Sequence, residues 1–172
     1  ENSDFNLLCL PIDNFPSFTD EISGSEIILD KFKFLKLLNK TKISISNDDT
    51  RHYLNGIYLH ITESNGRNFL TGVATDSHRL SSSSVEVDNI NDFSTLILPK
   101  KTTYQLCTLL SESSEKLVIK TSENKIKFTL GNMKLISKVI DGKFPDYKKV
   151  VPVKNDKHLI VSSKEFINSI ER

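Results

Sequence analysis

The sequence predicts an α+β fold of two similar halves, each running strand, helix and three strands, with two helices packed on antiparallel sheets. Residues 25–31 (SEIILDK) recur as residues 94–100 (STLILPK), at an offset of about 69 residues. An apolar stripe at helical spacing follows each copy, and β-branched and aromatic runs separated by turn residues follow each stripe. These three observations predict two halves related by pseudo-symmetry.

In the first half, Asp30 is a suitable N-cap for a helix, because its carboxylate can accept a hydrogen bond from a free backbone N–H group. The apolar face of this helix carries Phe34, Leu37 and Leu38. Three β-rich runs follow, at residues 43–46, 56–62 and 69–75. The pair Asn65-Gly66 is typical of a tight hairpin turn and separates the last two runs.

The second half repeats this order. Pro99 suits the start of a helix, where its missing N–H costs nothing. The equivalent stripe is Thr103, Leu106, Cys107 and Leu110. The strands predicted after it are residues 117–121, 125–130 and 133–140.

A longer repeat, of about 130 residues, predicts the domain organisation. Residues 10–18 (LPIDNFPSF) are similar to residues 139–147 (VIDGKFPDY), and residues 27–38 are echoed by residues 159–170, with Ser162 as the second N-cap. We therefore expect the tail of one domain at residues 1–20, a complete domain at residues 21–154, and the first strand and helix of another at residues 155–172.

Composition limits the classes of function. The chain has 172 residues, 37% of them hydrophobic, and no apolar run of the length that a membrane span needs, so we expect no membrane partner. It opens at Glu1 without a basic and apolar leader, so we expect a fragment without a signal peptide. Cys9 and Cys107 lie in apolar stretches and suit buried hydrophobic positions better than a disulfide or metal site, so we expect a cytoplasmic protein.

Positive charge is concentrated on the predicted helices although the net charge is only +1. Lys33, Lys36 and Lys40 fall opposite the apolar stripe of the first helix, and Lys100 and Lys101 begin the second. These lysines are either solvated surface charges or a surface for nucleic-acid phosphates. No base-reading motif is present, so the second alternative predicts contact with the backbone of double-stranded DNA, without sequence specificity.

Catalysis is not expected. Asp76, Ser77 and His78 are adjacent, and neighbouring side chains of an extended run point to opposite faces, so they cannot converge as a triad does. His60 and His158 are isolated, and the sequence has no glycine-rich phosphate loop. We therefore predict no catalytic residue, no metal and no cofactor.

Three motifs carry a family resemblance. Residues 50–56 (TRHYLNG), 73–80 (VATDSHRL) and 144–150 (FPDYKKV) resemble, in order and spacing, hallmark stretches of the bacterial DNA sliding clamps, the β subunits of DNA polymerase III. The resemblance assigns the centre of the chain to the middle domain of that family, flanked by the end of the first and the start of the third. It implies the DNA clamp fold and a non-catalytic processivity factor, a homodimeric ring that encircles duplex DNA with helices lining the hole.

The resemblance also implies a hydrophobic pocket for a short peptide, often led by glutamine and ending in leucine or phenylalanine. Such peptides belong to the replicative polymerase catalytic subunit, the clamp loader, other polymerases, ligase and mismatch repair proteins. The positions that match this pocket are Leu54, Thr75, Ser77, His78, Arg79, Leu80, Pro145, Lys149 and Val150. Ser77 stands where the family usually has glycine and Lys149 where it usually has arginine, so peptide affinity is the property these departures would alter.

For DNA, the resemblance points to Lys100 and Lys101 near the hole, and to His52 and Tyr53 on a loop able to meet the template strand. Tyr53 suits stacking on a base as well as packing beside its own sheet. The alternative function is a non-catalytic protein-interaction module that does not encircle DNA and whose lysines are merely solvated.

Overall fold

The computed structural model describes residues 3–15, 22–88, 93–112 and 116–171. Its strands and helices, in chain order, are β1 (Glu26–Leu29), α1 (Lys31–Thr41), β2 (Gly56–Ser64), β3 (Arg67–Thr75), β4 (Leu80–Glu86), β5 (Leu96–Pro99), α2 (Lys100–Glu112), β6 (Leu117–Thr121), β7 (Lys125–Leu130), β8 (Met133–Lys138) and α3 (Ser163–Ile170). Strand, helix and three strands therefore occur twice, and the predicted α+β class is confirmed.

The strands form two antiparallel sheets, each of which takes one strand from the other half of the chain. The first sheet has the order β1-β6-β7-β8, and the second, here called sheet B, has the order β4-β3-β2-β5. Leu29 of β1 lies opposite Leu117 of β6, and Leu98 of β5 lies opposite Ile57 of β2. Because each half completes the other's sheet, the two halves form one unit.

Both helices cover one face of sheet B, which we call the inner face. Phe34, Leu37 and Leu38 of α1 are fully buried, as are Leu106 and Leu110 of α2. A Cβ atom placed on Gly72 of β3 would lie 2.6 Å from Leu37 Cδ2, so α1 rests directly on this strand. Fully burying a side chain of this kind contributes about 1.5 to 3 kcal/mol, so these stripes anchor both helices.

The N-cap that the sequence predicts begins α1, and a second local hydrogen bond lies at its other end. The Asp30 carboxylate accepts from the Lys33 backbone N–H at 2.9 Å and so satisfies one free donor of the first turn. At the other end, the Thr41 hydroxyl donates to the Leu37 carbonyl at 2.9 Å. The exposed face of α1 between these residues carries the lysines.

One strand prediction in the first half is wrong. Residues 43–46 form no strand, because Lys42–Ser44 is a turn of 3-10 helix whose Ser44 hydroxyl lies 2.6 Å from that of Ser81. The third strand of this half is instead β4, which pairs with β3 along its length. β4 contains four consecutive serines and therefore lacks the alternation of apolar and polar residues that is typical of a strand. Hydroxyl contacts join it to β3, for example the one of 2.8 Å between Thr71 Oγ1 and Ser84 Oγ.

Two predictions near the chain ends also need correction. Cys9 was expected to be buried but is exposed, as are its apolar neighbours, including Leu8. The strand predicted within residues 155–172 is also absent, because residues 152–162 have no hydrogen-bonded neighbouring strand and Ile160 is 96% exposed. The helix predicted after it does form, as α3. The proposed boundary between residues 20 and 21 lies outside the described residues.

Within the described part, no helix is long and apolar enough to span a membrane.

Candidate functional site

A second apolar cluster covers the outer face of sheet B, opposite the helices. Its buried members are Leu54, Val73, Ile97 and Phe144. Alternate residues of a strand point to opposite faces, so Tyr58 and Val73 face outward while Ile57 and Gly72 face the helices. The segment after β8 crosses this face, where the Phe144 ring stacks on Tyr58 with centroids 4.8 Å apart.

The cluster borders a cavity of about 410 Å³ at the end of β3. The residues that line it are Leu54, Thr75, Ser77, His78, Arg79, Leu80, Pro145, Asp146, Tyr147 and Val150. Eight of the nine predicted pocket residues therefore share one cavity. The exception is Lys149, whose side chain is 81% exposed and whose Nζ atom lies 3.5 Å from Asp146 Oδ2. Lys149 is exposed to solvent and does not line the cavity.

Asp76 organises the turn that forms one side of the cavity. Its carboxylate accepts from the backbone N–H groups of His78 and Arg79, each at 3.0 Å, and from Arg79 Nε at 3.0 Å. These bonds, those from the backbone of Arg79 and His78 first, lower the pKa of Asp76 to about 2. The Thr75 hydroxyl donates to the Arg79 carbonyl at 2.8 Å. The turn is therefore held by its own polar groups, which leaves its apolar side chain, Leu80, to the cavity.

Ser77 adopts a left-handed backbone conformation, with φ of 78°, that favours glycine. Its hydroxyl accepts a hydrogen bond from Arg51 Nη1 at 2.6 Å, while Arg51 Nε donates to Asp48 Oδ2 at 2.8 Å. The Thr50 hydroxyl and Arg51 contribute most to holding the pKa of Asp48 at about 2. This chain of contacts ties the 3-10 segment Asp49–Leu54 to the turn, and Leu54 enters the floor of the cavity.

The cavity has an apolar floor and a polar rim. Leu54 is 2% exposed and Leu80 is half-buried, whereas His78, Arg79 and Val150 are exposed. An arrangement of this kind can accept an apolar side chain while the rim orients polar groups around it. The described residues contain no group of three or more His, Cys, Asp or Glu side chains that could hold a metal ion.

The predicted lysines lie on the inner side of the fold. Lys33, Lys36 and Lys40 are exposed on α1. Lys100 and Lys101 of α2 line a cavity of about 660 Å³ with Asn47, Gln105 and Thr108 among others, and Lys100 Nζ donates to Asn47 Oδ1. Because both helices cover the same face of sheet B, their lysines are on the side away from the outer cavity.

His52 and Tyr53 do not join these lysines. Tyr53 packs against the outer cluster, which favours the alternative that it packs beside its own sheet. His52 is exposed, with Nε2 at 3.2 Å from the Asp141 carbonyl oxygen, and its ring meets Tyr53 edge to face at 5.9 Å. Sequence reasoning missed Arg51, Asp146 and Tyr147, although all three lie within the motifs at residues 50–56 and 144–150.

Comparisons with known proteins point to one family. The model of the DNA polymerase III beta subunit, central domain, matches residues 28–146. A beta sliding clamp from Caulobacter vibrioides is 36% identical over 171 residues, which are 99% of this chain and 46% of the relative. One from Escherichia coli K12 is 34% identical over 157 residues, which are 91% of this chain and 42% of the relative.

Solved structures of sliding clamps are also similar to this chain. A sliding clamp (DNA polymerase III subunit beta) from Bartonella birtlesii bound to griselimycin has a TM-score of 0.89 and 39% identity, covering 95% of this chain and 44% of that one. The pol III beta of Caulobacter crescentus has a TM-score of 0.88 and 34% identity, covering 94% of this chain and 44% of that one. The chain thus spans less than half the length of the relatives that it matches.

Proposed function

We propose that this chain, which belongs to the DNA polymerase III β subunit (β sliding clamp) family, is the central part of a replication processivity factor. In this proposal, two subunits form a ring that encircles duplex DNA without reading its sequence and tethers the replicative polymerase. The ring performs no catalysis itself. The observation that carries the proposal is that sheet B separates lysine-bearing helices on one face from an apolar cavity on the other.

The exposed side of the two helices that cover the inner face suits the DNA backbone. Its candidate contacts are Lys33, Lys36, Lys40, Lys100 and Lys101, all of which belong to α1 or α2. A net charge of +1 means that attraction to phosphates must come from such local concentration of charge. Lysine contacts to phosphates are salt-sensitive and carry no sequence information, as a protein that slides along DNA requires. His52 and Tyr53 stay weaker candidates for contact with a template strand.

The outer cavity suits a short peptide. A leucine or phenylalanine side chain of the peptide would fill the space above Leu54 and Leu80, and His78 and Arg79 would contact its polar groups. Pro145 and Val150 form the facing wall. By this route we propose that the polymerase, the clamp loader, other polymerases, ligase and mismatch repair proteins dock.

The flanking segments fit neighbouring domains. We propose that residues 1–20 end a first domain and residues 155–172 begin a third, around a central domain at residues 21–154. Leu8 and Ile160 are 102% and 96% exposed, and apolar side chains of this size are usually covered by a packing partner.

Encirclement is tested with a chimeric clamp, the Caulobacter vibrioides protein in which this chain replaces the matching 171 residues. After loading by the Caulobacter clamp loader, the chimeric clamp should stay on nicked circular DNA in high salt and leave linear DNA from its ends. A protein-interaction module with merely solvated lysines would show the same retention on both DNAs, and that result would refute encirclement.

A further inference from the structure

The imidazole of His60 is buried on the outer face of sheet B, where Tyr58 of its own strand and Thr71 of β3 are its neighbours. His60 lies on the central strand β2 and is 8% exposed. Its ring centroid is 4.7 Å from that of Tyr58, which in turn stacks on Phe144. A buried polar ring costs free energy unless its nitrogens are hydrogen-bonded, so its partners indicate its role.

Both nitrogens of His60 have partners. Nδ1 lies 3.2 Å from the Ile61 carbonyl oxygen, which can only accept, so Nδ1 carries the proton. Nε2 is then the acceptor, and the Tyr147 hydroxyl donates to it at 3.1 Å. Burial lowers the pKa of His60 most, and the charge of Lys148 adds to this, although the hydrogen bond to the Ile61 carbonyl raises it. The neutral ring that this arrangement needs is therefore the form present at neutral pH.

Tyr147 connects His60 to the candidate pocket. Its side chain lines the cavity, and its carbonyl accepts from the Val150 N–H at 3.1 Å, which closes the turn Tyr147–Lys149. Pro145, Tyr147 and Val150 together form the wall that faces the 75–80 turn. The position of Tyr147 on the sheet therefore sets the width of the cavity.

We propose that His60 is a positioning residue for the peptide pocket, because it holds Tyr147, and with Tyr147 the wall at residues 145–150, at a fixed place on sheet B. This inference rests on the proposed docking function of the cavity. The stacking of Phe144 on Tyr58 is favourable but has no strict geometry. The hydrogen bond to His60 is directional and therefore fixes the position of the Tyr147 hydroxyl.

The test compares His60→Phe, Tyr147→Phe and the double variant in the chimeric clamp, which supplies the neighbouring domains. A glutamine-led peptide ending in leucine and phenylalanine is titrated, and calorimetry gives its affinity. Each single variant should bind about fivefold more weakly, the effect of one lost hydrogen bond. The double variant should lose no more than either single one, because both changes break the same contact. His60→Gln, whose amide can meet a hydroxyl, should recover part of the affinity.

Amide hydrogen exchange provides a readout that does not depend on the peptide. The Val150 amide should exchange faster in both single variants than in the unaltered chain, because the turn at Tyr147–Lys149 loses its tie to the sheet. Tyr147→Phe removes only one oxygen atom, so this variant decides the question if His60→Phe fails to fold.

The outcomes separate this inference from the proposed function. Unchanged exchange at Val150, or losses of affinity that add in the double variant, would overturn the positioning role. If the unaltered chimeric clamp binds no peptide while Val150 exchange responds as expected, the docking function is overturned and the hydrogen-bonded contact between His60 and Tyr147 stands.

Discussion

Replacing Leu80 by aspartate should strongly weaken peptide docking without unfolding the protein. Leu80 is half-buried and shares the cavity of about 410 Å³ with Leu54. A leucine or phenylalanine anchor that fills such a space gains about 1.5 to 3 kcal/mol from burial. The introduced carboxylate would either keep water in the cavity or lose its own hydration when the peptide side chain enters. In both cases the free energy gained by burying that side chain is lost. Leu80→Asp should therefore raise Kd by at least about tenfold and by up to about a hundredfold.

The assay is calorimetric titration of the chimeric clamp with the glutamine-led peptide. Ile28→Asp is the matched control, because Ile28 is also an apolar strand residue but is 64% exposed on β1, in the other sheet. This control should bind within twofold of the unaltered clamp. Leu80→Asp binding equally well, with circular dichroism showing both variants folded, would refute the assignment of the cavity.

Three further predictions concern the turn, the buried histidine and the lysines. Ser77→Ala should be less stable in urea than Ser77→Gly by about 1 kcal/mol, because both variants lose the bond from Arg51 and only alanine keeps the left-handed strain; equal stability would contradict this. Because the folded pKa of His60 lies below the ordinary 6.5, the free energy of unfolding should be largest above about pH 6.5 and fall as the unfolded state gains a proton below it. Tyr58, Tyr147 and Lys148 face this ring, and His60→Gln should flatten that pH dependence in denaturation curves. Changing the three α1 lysines to glutamine should reduce the salt dependence of DNA binding by the chimeric clamp, by a slope of up to about 0.9 for each lost phosphate contact; an unchanged slope would place them away from DNA.

The helices and most strands could be predicted because their burial pattern is periodic in the sequence. Phe34, Leu37 and Leu38 recur at helical spacing and are all fully buried. β4 was missed because its serines are joined to β3 by hydroxyl contacts, so no apolar alternation marks it. The strand predicted within residues 155–172 has apolar side chains but no hydrogen-bonding neighbour. The spacing of apolar residues indicates which side chains are suited to burial, but it does not indicate whether a partner strand is present.

The candidate site was predicted through the family resemblance, residue by residue, and its omissions have a physical cause. Tyr147 enters the cavity because His60, far away in the sequence, accepts its hydroxyl. Arg51 reaches Ser77 only because the Asp48 carboxylate orients its guanidinium. The contacts of Tyr147 with His60 and of Arg51 with Ser77 depend on three-dimensional proximity that spacing along the chain does not encode. Lys149 differs, since its ion pair is with Asp146, three residues away.

The exchange of strands between the halves has a consequence for biosynthesis. The hairpins β2-β3-β4 and β6-β7-β8 join strands that are adjacent in the chain, so each can form soon after it leaves the ribosome. β1 must wait for β6, whose paired residues lie roughly 90 positions later, and such distant pairing slows folding. Until then, the edge of β1, with Ile27 and Ile28, stays open to pairing with other nascent chains, and molecular chaperones would act during this interval.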